Sequence, residues 1–404
     1  MIPIGTVCQL TIYEKGNPKE KRRLTHDCSW EGPSYFSINS RIDKDLLEPL
    51  QYGRCIHRVL HNIQHVRFTH PEEKILMTKH DLDSAYRRLH WHAKCALLCI
   101  TIIRSIAYVL TRLCFGIASG PSKWCLISET MVDFASILIS NPSWDPKKIF
   151  NPKEEIYSKI DYLDDSIPLA KTKEILFKVP TTDNYINRYI DDMITIILAL
   201  DHLIHRAIQT IPLLCLVFFR PVHKDEPLER SDILSTKKLI AEGNLSEVKT
   251  FLGWTINTRT MRVSLPNIKA MKWIGEINET LYLKAVNFKK LEKLIGKLNH
   301  AAFIIPFSQY FLNRIRYQMT LAKKFGPQKL SDSTKEDLNL FKEFLSLMST
   351  NGVSITNITF SLPDFFCWPD TCSYSMGGYS SAVQAWQWKL PQTYVTNTTS
   401  LQEN

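Results

Sequence analysis

The pattern of apolar and polar positions changes several times along the 404-residue chain. Residues 74–82 have the pattern of a strand that ends in an acid, and an apolar run at 193–198 follows two adjacent acids. From Phe288 onward, apolar residues recur at steps of three and four, which predicts helices, and Asn287 is placed to cap the first of them. From Gly352 the pattern returns to short strands. We therefore expect an α+β protein.

These changes divide the sequence into four predicted regions. We expect a loose polar leader at 1–33, a mixed region at 34–255, a helical region at 256–350 and a short-strand segment at 351–404. Inside the second region, residues 141–188 carry prolines and turn-forming clusters and alternate little, which predicts an inserted loop. A chain of this length can form two or three domains.

Composition indicates a globular chain with an excess of positive charge. Hydrophobic residues make up 44% and charged residues 22%, and 50 Lys and Arg outnumber 40 Asp and Glu, for a net charge of +10. This excess favours polyanionic partners such as nucleic acids. The ten cysteines include no C-x-x-C pair, which argues against a structural zinc site and for a reducing, intracellular compartment, cytoplasmic or nuclear. We find no signal peptide and no apolar stretch long enough to span a bilayer.

Three histidines, His57, His61 and His65, are spaced four apart and would align on one helix face. No Cys or acid at ligand spacing completes a zinc site with them. We therefore assign these side chains to packing.

The most informative motif is the string YIDD at 189–192, which runs into the apolar stretch that follows. Two adjacent carboxylates at a tight turn between strands can present an acid to a catalytic metal, although Asp-Asp pairs also occur in ordinary exposed turns. Magnesium needs only one or two carboxylates per ion. Two Mg²⁺ ions about 4 Å apart can stabilise the attacking and leaving oxygens of an in-line displacement. The doublet therefore needs one more acid from elsewhere in the chain.

Asp81 at the end of the first strand is the candidate for that acid. A strand would place Asp81 and Asp83 on the same face, and Ser84 could then start a helix that carries Tyr86. For Asp83, capping this helix is an equal alternative. For Asp81 we favour metal binding, because Tyr86 follows at a distance that would close a sugar pocket.

A glycine-containing segment lies between the two acidic elements. Gly116 and Gly120 allow close approach of the backbone to a flat partner, and Pro121 opens an apolar helix. In isolation an ordinary helix-entry loop is the preferred interpretation, and the segment gains value only from its position between the two acidic elements.

The order of these motifs resembles that of reverse transcriptases. D-L-x-x-A-Y at 81–86, F-G-x-x-x-x-P-S at 115–122, Y-x-D-D at 189–192 and F-L-G-W at 251–254 match the family's motifs A, B, C and E. The run at 291–300 is similar to the thumb segment of retrotransposon polymerases. The ensemble is most similar to DIRS-like, tyrosine-recombinase elements.

This resemblance implies a right-hand polymerase fold. Fingers and an antiparallel palm sheet would lie in 34–255, a helical thumb and connection in 256–350, and a truncated RNase H-like α/β fragment in 351–404. The implied activity is that of an RNA-directed DNA polymerase, a nucleotidyltransferase that extends a primer 3′-hydroxyl with dNTPs on an RNA or DNA template. Its implied cofactor is a pair of Mg²⁺ ions, with Mn²⁺ as a substitute. The oligomeric state stays open.

The resemblance also assigns roles to residues at the motif positions. Asp81, Asp191 and Asp192 would hold the metals, assisted by the backbone carbonyl of Leu82. Tyr86 would be the steric gate against a ribose 2′-hydroxyl. The residues implied to contact the nucleotide are Tyr86, Phe115, Gly116 and Lys79, with Lys74 as an alternative to Lys79 for the triphosphate. Phe115 stands where retroviral enzymes carry Gln. A Phe is common at this position in retrotransposon enzymes, so we interpret it as typical of that subclass.

Basic residues predict a nucleic-acid surface in the helical region. Lys289, Lys293 and Lys297 are four apart and would share one helix face, opposite the apolar stripe. Residues 284–329 contain ten Lys or Arg and a single acid, Glu292. A merely solvated face usually mixes both signs, so we favour contact with a phosphate backbone. The resemblance adds the motif residues Gly253 and Trp254 to this surface.

The C-terminal strands look like the opening hairpin of an RNase H-like domain, in which Asp370 would be the first catalytic acid. Hybrid cleavage needs further acids around the metals. The remaining sequence does not supply them, so we expect no RNase H activity from this chain.

Two alternatives stay open. A second string of the same form, YLDD at 162–165, competes for the turn, but Pro168 would remove a hydrogen-bond donor from the returning strand, so we favour 189–192. A decayed or domesticated element that only binds nucleic acid is the rival function. An RNA-dependent RNA polymerase is a second rival, against which Tyr86 argues.

Overall fold

The computed structural model describes residues 6–11, 21–26, 28–29, 31, 37–50, 52–97, 99–148, 159–177, 182–219, 225, 232–372 and 374–389. The α-helices in this part are α1 (Cys55–Thr69), α2 (Ala93–Ala96), α3 (Gly120–Ser140), α4 (Asp201–Phe218), α5 (Thr236–Glu242), α6 (Asn267–Tyr282), α7 (Phe288–Ala302), α8 (Leu312–Phe325) and α9 (Asp332–Thr350). The strands are β1 (Thr6–Thr11), β2 (Lys21–His26), β3 (Ile75–Asp81), β4 (Ile100–Ile103), β5 (Ile106–Val109), β6 (Ile160–Asp161), β7 (Asn184–Tyr189), β8 (Asp192–Leu198), β9 (Leu245–Ser246), β10 (Val248–Phe251), β11 (Trp254–Asn257), β12 (Arg262–Ser264), β13 (Val353–Ser354), β14 (Cys367–Cys372), β15 (Ser375–Ser380) and β16 (Ala385–Lys389).

A five-stranded sheet in the order β6-β9-β3-β8-β7 carries the candidate site. Its middle strands β3 and β8 are antiparallel over seven residue pairs, and β7 pairs antiparallel with β8 through a tight turn. Strand β3 is apolar and fully buried at Ile75, Leu76 and Met77 because α1, α3 and α4 pack against the sheet. The strand predicted at 74–82 is thus observed as β3, and it lies next to β8, the strand that the apolar run at 193–198 forms.

A second sheet and a helical bundle follow. Strands β10, β11, β12 and β13 pair in that order, and α6 to α9 pack on one another beside them. Helix α7 begins at Phe288 as predicted, with the Asn287 side chain accepting a hydrogen bond from the Lys290 amide at 2.9 Å. Strands β14 to β16 form a separate three-stranded antiparallel sheet.

Three of the predicted regions can be set beside the described elements. The predicted leader contains β1 and β2, which pair antiparallel over six residues each. The helical region begins at α6 rather than at residue 256, which lies inside β11. The loop predicted at 141–188 includes β6 and most of β7, and its residues 149–158 and 178–181 lie outside the described residues. Among the described helices, none combines the length and apolar character that crossing a bilayer requires.

A buried ion pair anchors the inserted loop to the second sheet. Glu247 is fully buried and Arg259 is 2% exposed, and Arg259 Nη2 lies 2.8 Å from Glu247 Oε2. Arg259 Nη1 donates to the carbonyl oxygens of Asp164 and Ile167, and the Leu163 amide donates to Glu247. The loop that contains the YLDD string is therefore fixed by its backbone.

Replacing Glu247 with Ala should lower the free energy of unfolding by about 3 kcal/mol or more, because Arg259 would stay buried without its carboxylate. Urea denaturation measures the loss. The control is Glu343→Ala on the exposed face of α9, which should change stability by less than about 0.5 kcal/mol. Equal effects of the two substitutions would contradict this role for the ion pair.

Candidate active site

The YIDD string forms the turn between β7 and β8. Tyr189 pairs with Asp192, which leaves Ile190 and Asp191 as the two loop residues. Ile190 has φ of 56°, a left-handed conformation that is strained for a β-branched residue and persists only where its surroundings hold it. The indole Nε1 of Trp124 on α3 donates to the Ile190 carbonyl oxygen at 2.8 Å. Helix α3 therefore helps to fix the turn that presents the two acids.

Asp81 lies directly opposite Asp192 in the β3–β8 ladder. Residues that face each other across an antiparallel pair project to the same side of the sheet. The Leu82 amide also donates to the Asp191 carbonyl oxygen at 3.2 Å, which ties the end of β3 to the turn. Strand register thus brings together the three acids that the sequence predicted.

The acids share a poorly solvated position. Burial raises the pKa of Asp191, and the neighbouring Asp81 raises it further. Burial likewise raises the pKa of Asp192 to about 6, against the opposing charge of Lys79 and with a contribution from Asp81. Asp192 Oδ1 is buried and accepts no hydrogen bond from the described residues. The cluster therefore has an excess of negative charge that a bound cation would relieve.

Two lysines lie against these carboxylates. Lys238 Nζ on α5 is 2.5 Å from Asp81 Oδ1, and Lys79 Nζ is 3.4 Å from Asp192 Oδ1 and 2.7 Å from Glu242. Burial opposes the charge on Lys238, but contact with Asp81 outweighs it and raises the pKa of Lys238. The sequence pointed to Lys79 and missed Lys238, because a lysine in a short helix 46 residues after the doublet carries no local signal.

The donor set suits magnesium, although its present arrangement does not form a complete site. Within the described ranges, no group of three or more His, Cys, Asp or Glu side chains is positioned to hold a metal. The residues nevertheless fit a hard cation, since they offer carboxylate oxygens, and Asp192 Oδ1 is buried without a hydrogen bond. Metal binding to Asp81 would require the ammonium group of Lys238 to move away from this carboxylate.

Tyr86 borders the acids on the side of the glycine segment. It lies in a 3₁₀ helix, Ala85–Arg88, that follows Ser84 in the left-handed conformation. Its ring meets the edges of Phe115, at 5.2 Å between centroids, and Trp124, at 6.2 Å. Burial raises the pKa of Tyr86, and Asp191 adds to the shift. Tyr86 therefore lies close enough to the acid cluster to feel the charge of Asp191.

The Asp83 side chain does not cap this 3₁₀ helix. Its Oδ2 lies 3.8 Å from Arg88 Nη2, and its amide donates to the Ile233 carbonyl oxygen. Ser84 is the residue before the helix and makes no side-chain capping bond.

Gly116 has φ of 103°, which favours glycine. Asn39 holds the segment from outside: its Nδ2 donates to the Gly116 carbonyl oxygen and its Oδ1 accepts from the Ala118 amide, at 2.9 and 2.8 Å. Pro121 lies in the first turn of α3, as predicted. Asn39 is a second residue that sequence reasoning missed, since it is 77 positions away from the glycine.

Lys74 is not near the acids, which corrects its assignment to the triphosphate. It lies at the opposite end of β3, where its Nζ is 2.6 Å from Asp165 Oδ1 and 4.9 Å from the centre of the Tyr162 ring. Asp165 also contacts Arg259 at 3.0 Å. The upstream YLDD string therefore lies outside the hairpin, and its second acid belongs to the ion-pair network of the inserted loop.

The basic face of α7 is less uniform than predicted. Lys289 and Lys293 are exposed and form no ion pair among the described residues. Lys297 forms an ion pair with Glu276 of α6, and Lys290 lies 3.2 Å from Glu279. Acids from the neighbouring helix thus neutralise part of the ridge, a contact that the charges of 284–329 alone could not show.

The F-L-G-W string forms the turn between β10 and β11. Leu252 and Gly253 both have positive φ, as a two-residue hairpin turn of the primed type requires. Trp254 is 1% exposed and stacks on His300 of α7 with centroids 5.0 Å apart. The Trp254 ring therefore packs this turn against α7, which corrects its assignment to the nucleic-acid surface, while Gly253 remains partly exposed.

Two further predicted groups lie away from the acids. Asp370 is exposed on β14, paired with Gly377, and its Oδ1 accepts from the Thr371 amide. The α1 histidines pack against aromatic rings: His57 on Phe303, His61 on Phe360 and His65 on Tyr185.

No family model and no curated protein matches this sequence. The structure is similar to solved structures of the foamy viral protease-reverse transcriptase. For its complex with dsDNA the TM-score is 0.51 at 14% identity, with 97% of this chain and 64% of that chain covered. For the RNA/DNA hybrid complex the TM-score is 0.48 at 15% identity, with 93% of this chain and 39% of that chain covered. For the dRH form with ds DNA the TM-score is 0.46 at 12% identity, with 97% of this chain and 54% of that chain covered.

The similarity to the dsDNA complex shows a reverse-transcriptase-like fold over nearly the whole chain. The chain spans between 39% and 64% of the length of these foamy viral proteins. The similarity does not separate palm, fingers, thumb and RNase H fragment, and it does not show the DIRS-like lineage.

Asp192→Asn should stabilise the metal-free protein at pH 7.5 by on the order of 1–2 kcal/mol. The pKa of Asp192 is raised to about 6 from an ordinary 3.8, so the folded state keeps a proton that the unfolded state loses between these values. Wild-type stability therefore falls as pH rises from about 4 to 6, and the advantage of the variant should vanish near pH 4. Urea titrations in EDTA test this, with exposed Asp133→Asn as control. A pH-independent difference would refute the assignment.

Proposed function

We propose that this protein is an RNA-directed DNA polymerase that extends a primer 3′-hydroxyl with dNTPs. The observation that carries the proposal is the register of β3 and β8, which sets Asp81 opposite Asp192 beside the turn at Asp191. The reverse-transcriptase-like fold supports it independently of the motifs. The order of the motifs and the segment at 291–300 favour a retrotransposon origin of the DIRS-like kind.

Asp81, Asp191 and Asp192, with the carbonyl oxygen of Leu82, would hold the metal ions. Bound Mg²⁺, or Mn²⁺ in its place, would stabilise charge on the attacking and leaving oxygens. The protein's own contribution is to hold these acids at the ends of two paired inner strands, in a partly desolvated position where electrostatic interactions are strong.

Tyr86 and the residues around it would select the nucleotide. The Tyr86 ring packs against Phe115 and Trp124, so these contacts would be lost if the ring moved aside for a ribose 2′-hydroxyl. Gly116 would let the backbone approach the base pair. Lys79 adds positive charge beside the position that we assign to the triphosphate.

Template and primer would lie along α7 and the β10–β11 turn. Lys289 and Lys293 offer exposed positive charge, Lys297 offers charge shared with Glu276, and Gly253 lies at the turn. The foamy viral structure with a TM-score of 0.51 is a complex with dsDNA, which supports a duplex partner here. We assign β14 to β16 to an RNase H-like segment, in which Asp370 would be the first catalytic acid.

Asp191→Asn should reduce nucleotide addition by at least about a thousandfold, since several kcal/mol of charge stabilisation would be lost. Primer extension on a homopolymer RNA template with Mg²⁺ and labelled dNTP measures this. The matched control is Asp164→Asn in the upstream string, which should keep most of the activity. The reverse result would move the site to the upstream string. Primer-template binding by a wild type that extends nothing would instead favour an inactive element.

Tyr86→Ala should improve the use of ribonucleotides relative to deoxynucleotides by about 10- to 100-fold, because the ring that blocks the 2′-hydroxyl is removed. The ratio of kcat/KM for rNTP and dNTP is the measurement. Tyr86→Phe keeps the ring and should keep the selectivity. If the ratio is the same in all three proteins, Tyr86 is not the gate.

A further inference from the structure

Two lysines partly neutralise the acid cluster, and their side chains differ in how exposed they are. Lys79 lies on β3, its side chain is only 10% exposed, and it contacts Glu242 at 2.7 Å in addition to Asp192. Lys238 lies on α5, its side chain is 51% exposed, and its ion-pair partner is Asp81. Lys79 is thus held between two acids within the sheet, whereas Lys238 reaches the cluster from the solvent side.

We propose that Lys238 is an exchangeable counter-cation, whose ammonium group neutralises Asp81 until a divalent cation takes this carboxylate. The inference rests on the proposed function, because it concerns the same acids. It assigns to Lys238 a positioning role: control of how tightly the free protein binds its metal.

Burial explains why Asp81 needs a cation when no metal is bound. Its side chain is 8% exposed and lies opposite Asp192, with Asp191 beside them. A buried carboxylate next to two others is costly unless a positive charge compensates it. The contact of 2.5 Å with Lys238 Nζ supplies this charge.

The same contact makes the two cations compete. A magnesium ion binds a carboxylate oxygen at about 2.0–2.1 Å, and an ammonium group on the same oxygen would then lie a few ångströms from a divalent charge. At that separation the repulsion between them is large, even with partial solvent screening. Metal binding therefore has to displace Lys238, and the apparent affinity for metal is lowered by the free energy of the ion pair.

The backbone around Lys238 allows this displacement without a change of fold. The Ser235 amide, just before α5, donates to the Asp81 carbonyl oxygen at 3.1 Å, and Leu82 forms a β-bridge with Leu234. The start of α5 is thus tied to the end of β3. Because half of the lysine side chain is already exposed, rotation of that side chain is sufficient to release Asp81.

Binding of Mn²⁺ to the free protein, followed by the EPR signal of unbound Mn²⁺ without nucleotide or nucleic acid, tests the proposal. Lys238→Gln should bind Mn²⁺ about tenfold more tightly than wild type, equivalent to about 1.4 kcal/mol. Lys237→Gln makes the same charge change at the exposed neighbouring position and should alter affinity by less than about twofold. Lys238→Arg keeps the charge and should not tighten binding. Asp81→Asn should weaken binding in both the wild-type and Lys238→Gln backgrounds.

Thermal unfolding provides a second readout that would expose a variant that merely folds poorly. In EDTA, Lys238→Gln should have a lower Tm than wild type, because Asp81 loses its partner, and Mg²⁺ should raise its Tm by more than that of wild type. Equal Mn²⁺ affinities for wild type and Lys238→Gln, or tightening by Lys237→Gln to the same degree, would overturn the proposal. Neither outcome depends on primer extension, so failure of the polymerase assignment would be seen separately.

Discussion

The antiparallel pairing of β3 with β8 is the constraint on which the candidate site depends. It sets Asp81 opposite Asp192, although the two residues are 111 positions apart in the chain. The pairing is stable because the apolar residues of both strands are buried against helices, so a slip by one residue would turn buried side chains towards the opposite face. Core packing thus fixes the distance between acids that would otherwise repel each other.

Much of this arrangement follows from local sequence. Strand β3, the start of α7 with its Asn287 cap, and the entry of Pro121 into α3 are encoded by periodicity and by residues with strong positional preferences. The order of four short motifs led to the expectation of a reverse-transcriptase-like fold, which the similarity to solved structures supports. The sequence alone also allowed a choice between the two acidic doublets, since only one string is followed by residues that can form a strand.

The features that the sequence did not predict are contacts between distant segments of the chain. Lys238 and Asn39 reach the site from elements that carry no motif, and their roles depend on where the chain returns. Trp254 and Lys297 occupy positions that resemble a binding surface in sequence, but His300 covers one and Glu276 neutralises the other. Periodicity predicts which face of a helix is polar; it does not predict which neighbour will meet that face.

The row of histidines on α1 has a mechanical consequence. His57 meets Phe303 just beyond α7, His61 meets Phe360 and accepts a hydrogen bond from its amide, and His65 meets Tyr185 on β7. Helix α1 therefore contacts the sheet, the helical bundle and the segment around Phe360 that follows the bundle. A displacement of α1 would therefore disturb aromatic contacts in all three at once.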